Sequence, residues 1–135
     1  MGPNPSLKLT RYGMPGTADD ISKLVATEIS RIFQPGLASR IRELLVAIRC
    51  EPREWDYGEP GQTYLCWIVA EHPESNTAFA YCEYGFGPRE PWGLLRIRGQ
   101  KMSLGMDSGW FISLEDAFRD SFAWDGANPS DYEVA

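Results

Sequence analysis

Residue types that support catalysis are few in this sequence and lie far apart along it. Ser108 stands in an Asp-Ser-Gly run that is typical of a turn, because Asp bonds the backbone there and Gly accepts positive φ. The single histidine, His72, precedes a proline in another expected turn, where we expect it to be exposed and away from Ser108. Glu71 and Glu83 have the chemistry for acid and base work on neighbouring strands, but nearby arginines make ion pairing the commoner outcome. The sequence therefore assigns no catalytic residue and favours a protein that is not an enzyme.

Arginine and aromatic side chains are better suited to binding a partner. On the expected strands they alternate onto one face, which is too polar for a core and too aromatic for a face that meets only solvent. A loop over residues 85–92 adds further rings and charges, and its two prolines would reduce the entropy lost on binding, although glycine and proline also simply make turns. The candidate ligand or interface residues are Arg49, Arg53, Trp55, Tyr64, Tyr81, Glu83, Phe86, Arg89 and Trp92.

The cysteines and glycines give no sign of a metal or cofactor site. Cys50, Cys66 and Cys82 are spaced too widely for the paired ligands of a zinc site, and their apolar neighbours favour structural thiols. The Gly-Phe-Gly triplet at 85–87 lacks the third glycine of a nucleotide fingerprint, and nearby prolines break any helix behind it. We expect no metal and no cofactor.

Composition narrows the class of protein and of partner. The chain has 135 residues, 43% hydrophobic and 24% charged, which is enough for one domain with a buried core. Its net charge of −6 argues against nucleic acid and favours a basic partner, although acidity is also the commonest route to solubility. Neither a membrane-spanning run nor a signal peptide is recognisable, so we expect a cytoplasmic protein without membrane contact.

The first 16 residues differ in charge from the rest of the chain. They hold two of the 13 Lys and Arg and none of the 19 Asp and Glu, and we expect a basic, disordered leader there, with a single α+β domain over 17–135. Residues 3–13, Pro-Asn-Pro-Ser-Leu-Lys-Leu-Thr-Arg-Tyr-Gly, resemble the peptide produced when a bacterial integron recombination site is translated at a cassette boundary. The resemblance implies an integron cassette protein from a mobile gene cassette. It implies no activity for residues 17–135.

One or two helices are expected at the N-terminal end of the domain. Thr17 is an N-cap followed by two acids in the first turn, and apolar residues recur at helical spacing as far as about Gln34, where Pro35-Gly36 ends the pattern. Residues 37–55 fit both a helical and an alternating spacing. We divide them into a short helix over 38–43 and a strand over 45–55, and whether 37–43 is helix or strand stays open.

Short connections between the following strands predict an antiparallel meander. Strands are expected over 45–55, 62–71 and 77–84, and a hairpin over 93–98 and 101–106; none of these connections has room for a parallel crossover. With a tight first turn at 58–61, one face is apolar and forms the core: Val46, Ile48, Cys50, Leu65, Trp67 and Val69. The other, which we call the reverse face, holds Arg49, Glu51, Arg53 and Trp55 opposite Tyr64, Cys66, Ile68 and Ala70, with Phe79, Tyr81 and Glu83 nearby.

A C-terminal helix completes the expected α+β fold. Ser113 is its N-cap, and Leu114, Phe118 and Phe122 form the buried stripe. The sheet should have four to five strands.

Three interpretations of the reverse face remain open: cover by the C-terminal helix, a homodimer interface, or a small-molecule site. The leading hypothesis for function is a non-enzymatic binding or interaction protein, of the kind that an immunity or antitoxin-like partner of a basic protein represents. The alternative is a small-molecule-binding protein or enzyme with a pocket between the sheet and the 85–92 aromatic loop.

Overall fold

The fold is a five-stranded antiparallel sheet with helices at both ends of the chain, as predicted. The computed structural model describes residues 17–54, 59, 61–83, 89–102 and 110–124. The helices are α1 (Ala18–Ser30), α2 (Pro35–Leu44) and α3 (Leu114–Arg119), and the strands are β1 (Leu45–Glu54), β2 (Thr63–His72), β3 (Thr77–Tyr81), β4 (Trp92–Arg96) and β5 (Trp110–Phe111). Chain neighbours are sheet neighbours throughout, in the order β1-β2-β3-β4-β5, so the predicted α+β meander is confirmed.

The two N-terminal helices meet at Pro35. Thr17 caps α1 by accepting a hydrogen bond from the Asp20 amide at 3.1 Å, as its position predicts. The helix ends at Ser30, earlier than the predicted Gln34. Gln34 itself is extended, as expected for a residue before proline. Pro35 occupies the first turn of α2 and does not close α1. Residues 37–43 are therefore helical, and β1 follows α2 directly.

Two register breaks lie side by side in the sheet. In β1, Leu45 is opposite Ala70 but Arg49 is opposite Ile68, which leaves residues 46–48 facing Val69 alone. In the next pair, Ile68 is opposite Ala80 and Ala70 is opposite Phe79. Val69 is therefore the extra residue in the pairing of β2 with β3, whereas in the pairing of β1 with β2 the extra residues are on β1. Bulges of this kind bend a strand and redirect its side chains.

The last part of the predicted meander differs from the expectation. Besides β3, the antiparallel partner of β4 is β5, with Gly93 opposite Trp110. Lys101 was expected in that position but forms a parallel bridge with Glu54 of β1. The Glu54 amide donates to the Gln100 carbonyl and its carbonyl accepts from the Met102 amide, both at 2.9 Å. The turn after β4 thus crosses back to β1. Residues 103–106 lie outside the described part of the chain.

Two apolar clusters cover opposite faces of the sheet. The helix-side cluster joins buried residues of α1, α2 and α3 to Val69, Phe79 and Leu94. The reverse cluster contains Cys66, Ile68, Ala78, Ala80, Cys82, Leu95, Met102 and Trp110.

The assignment of faces is right for much of β1 and β2 and wrong beyond the bulges. Arg49, Arg53 and Tyr64 share the reverse face as expected, since Arg53 is opposite Tyr64. Phe79 and Tyr81 were expected near that face but belong to the helix side, because the extra Val69 sets Tyr81 opposite Trp67. Ala70 also lies on the helix side, and Val46 packs against the reverse cluster. Cys50 and Leu65 were expected in the core but are exposed.

Two expectations at the ends of elements are also wrong. Phe122 is 79% exposed, because α3 ends at Arg119 and its helical spacing stops there. Ser113 caps α3 as predicted, and Phe118 packs on Phe79 of the helix side with ring centroids 5.6 Å apart. His72 is only 8% exposed, because β2 continues through it into the turn that follows.

Candidate functional site

A cavity of about 350 Å³ lies between α1 and the beginning of β1, and we call it the α1–β1 groove. On the helix it is lined by residues 22, 25, 26, 29 and 30, which recur at the three-and-four spacing of a single face. Val25 and Ile29 are buried and form the floor, whereas Ser22, Ala26 and Ser30 are exposed. The helical side of the groove therefore changes from an apolar floor to a partly polar rim.

The sheet side of the groove consists of the residues at the two register breaks. Leu45, Val46, Ile48 and Val69 line it. In a regular strand the side chains alternate between the two faces of the sheet. The break in β1 interrupts this alternation, so that three apolar side chains within 45–48 line one cavity. The groove is thus a consequence of the bulges. The mixed spacing of residues 37–55 was the sequence signal for this irregularity.

Arg42, in the last turn of α2, supplies the only charge that lines the groove among the described residues. Its side chain makes no hydrogen bond or ion pair with any residue of 17–54, 59, 61–83, 89–102 or 110–124. Two other arginines illustrate the difference: Arg40 donates to Glu43 at 2.9 Å, and Arg119 donates to Glu115 at 2.9 Å. Arg42 is therefore a cation without an anion beside an apolar cavity. Sequence reasoning missed it, because spacing does not reveal which arginine lacks a partner.

The charged residues predicted as a binding face are bonded to one another. Arg49 donates to Glu51 and to Glu71, both at 2.6 Å. Arg53, with a side chain only 2% exposed, donates to the other oxygen of Glu51 at 2.7 and 3.0 Å. Its remaining nitrogen donates to the carbonyls of Arg96, at 2.9 Å, and Lys101, at 3.1 Å. Arg53 is a structural group that holds the turn after β4 against β1.

The pKa of Glu51 reflects this network. Burial is the largest single influence and raises the pKa, but hydrogen bonds from Arg49 and Arg53, together with their positive charges, bring it below the usual value for glutamate. Glu51 is thus ionised and shared between two guanidinium groups. The hydrogen bond that Arg49 donates to Glu51 raises the pKa of Arg49 against the opposing effect of burial, so Arg49 stays charged.

The rest of the reverse face is closed by the chain itself. Trp110 lies over Gly93 so closely that a Cβ on this glycine would meet three ring atoms at 2.7 Å, and its indole N–H donates to the Met102 carbonyl at 3.0 Å. Beneath this cover the Cys66 thiol is fully buried, and its contact with the Cys82 thiol, followed by burial, raises the pKa of Cys66 strongly. A thiol in that state is a poor nucleophile. The reverse face is a second small core.

Three other predicted site residues meet on the helix side. Tyr81 donates to Glu83 at 3.0 Å and packs edge-on against Trp92, with ring centroids 5.0 Å apart. Burial, then the negative charge of Glu83, raises the pKa of Tyr81 well above its usual value, so its hydroxyl stays protonated. Arg89 is exposed. Trp55 and Phe86 lie outside the described residues, as do the other residues of the first half of the 85–92 loop.

His72 takes part in a chain of hydrogen bonds within one turn. Its Nδ1 lies 2.7 Å from the Ser75 hydroxyl, which donates to Thr77 Oγ1 at 2.8 Å, and its Nε2 lies 3.1 Å from the exposed Glu74 carboxylate. The Ser75 hydroxyl also lies 3.4 Å from the His72 carbonyl oxygen. These bonds join residues 72–77, so the chain of hydrogen bonds fixes the turn between β2 and β3.

Neither a metal cluster, nor a membrane-spanning helix, nor a known relative indicates a function for the described part of the chain. Within the described residues, no three His, Cys, Asp or Glu side chains converge in a way that would hold a metal ion. The helices of that part of the chain are too short or too polar to cross a bilayer. No protein-family model, curated protein or solved structure matches this chain.

Proposed function

We propose that this protein is a non-enzymatic binding protein and that the α1–β1 groove receives its ligand. The observation that carries the proposal is an apolar cavity of about 350 Å³ whose lining includes the exposed guanidinium of Arg42, which has no partner among the described residues. Concave, mostly apolar sites with a small number of polar groups are the usual form of a ligand pocket, and their volumes are roughly 300–1,000 Å³. The small-molecule site is thereby proposed beside β1 and no longer at the 85–92 loop.

The state of the titratable groups supports binding over catalysis. Within the described chain, Glu51 is shared by two arginines and Tyr81 is held protonated beside Glu83. His72 and Ser75 are bonded to each other within the turn between β2 and β3. None of these groups lines the groove, whose polar members are Ser22, Ser30 and Arg42. Hydroxyl and guanidinium groups of this kind orient a ligand and do not exchange protons with it near neutral pH.

The origin suggested by the N-terminus agrees with a protein that acts alone. A protein carried on a mobile gene cassette must be useful without a pathway around it, and a binding protein meets that requirement. The resemblance of residues 3–13 to a translated recombination site is the basis for this part of the proposal.

A thermal-shift screen of metabolites against two variants tests the groove. Ala26 lines the cavity and is exposed, so Ala26→Phe should fill the groove without disturbing the core. Thr27→Phe, one residue further along α1 and outside the lining, is the matched control. A ligand that binds only the folded state raises the melting temperature, by an amount set by its concentration relative to Kd. We expect hits on the wild type and Thr27→Phe that disappear in Ala26→Phe; hits that persist in Ala26→Phe would place the site elsewhere.

A protein partner is the second candidate, and the exposed rings on the helical side favour it. Phe33 is 100% exposed and Phe122 is 79% exposed. Gln34 accepts from Arg119 at 3.3 Å, and Arg40 donates to the Ala123 carbonyl at 3.4 Å, which brings the two segments to the same part of the molecule. Exposed aromatics on an acidic protein suit a basic partner, as an immunity or antitoxin-like function requires, or a second copy of the chain.

Light scattering separates these two partners. A dimer that becomes monomeric in Phe33→Asp supports a homodimer through this surface. A wild-type monomer eliminates the homodimer. A basic partner should then bind more weakly as the salt concentration rises, since screening acts on exposed charges.

A further inference from the structure

We propose that the ligand of the α1–β1 groove is a small amphipathic carboxylate, whose hydrocarbon part lies on the apolar floor and whose carboxylate pairs with Arg42. This inference rests on the proposed function, because it names the chemical class that the same groove selects. It follows from three features of the lining: its apolar floor, its single cation and the irregular strand edge beside it.

The floor of the groove fits hydrocarbon. Val25, Ile29 and Val69 are buried and their side chains face the cavity, while Leu45 and Ile48 supply the sheet wall. Apolar surface of this kind gains from removing a ligand's methylene groups from water. At about 350 Å³ the cavity lies near the small end of the range for ligand pockets, so the ligand is shorter than a long-chain lipid.

The single cation selects a singly charged anion. A guanidinium presents two parallel N–H donors, which match the two oxygens of one carboxylate, and Arg42 has no such partner within the described residues. The exposed Ser22 and Ser30 hydroxyls add polar groups at the rim. An anion with two or more charges would meet one cation on a protein of net charge −6, which disfavours it. A neutral or cationic ligand would leave Arg42 without a partner.

The edge of β1 argues against an extended peptide as the occupant. A peptide added to a sheet edge requires a regular strand with open backbone groups. Residues 46–48 are bulged, Pro52 has no N–H to donate, and Glu54 is already bonded to the segment 100–102. Bulges and prolines are the features that protect edge strands from pairing. The groove beside this edge therefore receives a small molecule.

Isothermal titration with three probes of equal chain length tests the inference on the full-length chain. The probes are octanoate, 1-octanol and octylamine, each below its aggregation limit, and the variants are Arg42→Gln and Arg98→Gln. Arg98 is the matched control, because it is exposed, lies outside the groove and has no described partner for its side chain. We expect octanoate to bind the wild type and Arg98→Gln equally, and Arg42→Gln about tenfold to a hundredfold more weakly, as for one charged hydrogen-bonded contact. Octylamine should bind at least as weakly as octanoate binds to Arg42→Gln.

The outcomes distinguish this inference from the function on which it rests. If 1-octanol binds as tightly as octanoate and Arg42→Gln changes neither, the carboxylate preference is overturned while the groove remains a binding site. If octanoate binds Ala26→Phe as well as it binds the wild type, the groove itself is not the site. If none of the three probes binds, the ligand class is wrong, and the metabolite screen decides the function independently. Unchanged melting temperatures for Arg42→Gln and Arg98→Gln would establish that lost binding is not lost folding.

Discussion

The two faces of the sheet are closed in different ways, and only one of them leaves a cavity. The sequence predicted that the charges and rings of the reverse face would be available for binding. In the structure, each nitrogen of the Arg53 guanidinium is hydrogen-bonded, and Arg53 and Trp110 hold the chain over this face. The helix-side face is covered by three separate helices, and next to the bulged start of β1 their cover is incomplete. The difference teaches that clustered polar residues can belong to a closed structural network, whereas a single cation beside apolar residues, with no partner among the described residues, can indicate a binding site.

Truncation of the helix-side core should have the largest effect on stability. Phe79 is fully buried and stacks near Phe118, so Phe79→Ala should lower the free energy of unfolding by about 3–5 kcal/mol. Phe122→Ala removes the same atoms from an exposed site and should change the free energy of unfolding by less than about 0.5 kcal/mol. Urea denaturation measures both. Similar losses in the two variants would mean that Phe122 is packed.

Removal of the buried arginine should break the cover of the reverse face. Arg53→Met leaves two backbone carbonyls without their donor and deprives Glu51 of a partner, so we expect a loss of about 3 kcal/mol. Arg49→Met removes a half-exposed partner of the same glutamate. Its free energy of unfolding should lie within about 1 kcal/mol of the wild-type value. Chemical denaturation compares the pair, and equal losses would show that the buried bonds of Arg53 add nothing.

Adding a methyl group at Gly93 tests how closely Trp110 packs on the reverse face. Gly93→Ala places a Cβ at 2.7 Å from the indole ring, and overpacking of this kind costs about 2 kcal/mol. Gly36→Ala is the matched change in a helix with nothing within 4 Å, and it should stabilise by up to about 1 kcal/mol. Thermal unfolding distinguishes the two signs. A neutral Gly93→Ala would mean that Trp110 is free to move off the sheet.

Acid should weaken the reverse-face network by a smaller amount. Because the pKa of Glu51 is lower in the folded chain than in the unfolded one, its stabilisation is complete above about 4.3, the pKa of an unfolded glutamate, and is lost as the pH falls through the folded value. The wild type should therefore keep a constant advantage over Glu51→Gln above about pH 5 and lose it progressively as the pH falls further. Urea denaturation at several pH values measures this gap. A gap that stays constant would contradict a lowered pKa.

Local chemistry made the elements predictable from the sequence. Thr17 and Ser113 act as caps because a cap depends on residues three positions away, and the short turns between strands allow only an antiparallel meander. Arg49, Arg53 and Tyr64 share a face because strand alternation holds between the first turn and the bulge.

Features that depend on distant contacts were not predictable. Val69 is β-branched and fits a regular strand as well as a bulge, so the alternation of apolar and polar residues along β2 does not reveal that it is an extra residue. That extra residue places Phe79 and Tyr81 on the helix side. Trp110 covers the reverse face only because Gly93, distant in sequence, leaves room for its ring. Arg42 is distinguished only because it lines the groove and has no partner among the described residues, and both facts require the positions of distant residues.

Titration of ¹⁵N-labelled protein with octanoate tests the central claim most directly, because it reports on both faces of the sheet at once. We predict that the largest shifts occur in the amides of α1 around Ala26 and Ile29, in residues 45–48 and in the Arg42 Nε–H signal. The amides of Ala78, Ala80 and Leu95 in the reverse cluster should not move. Shifts concentrated in the reverse cluster, or saturable binding that leaves the Arg42 signal unchanged, would contradict the account.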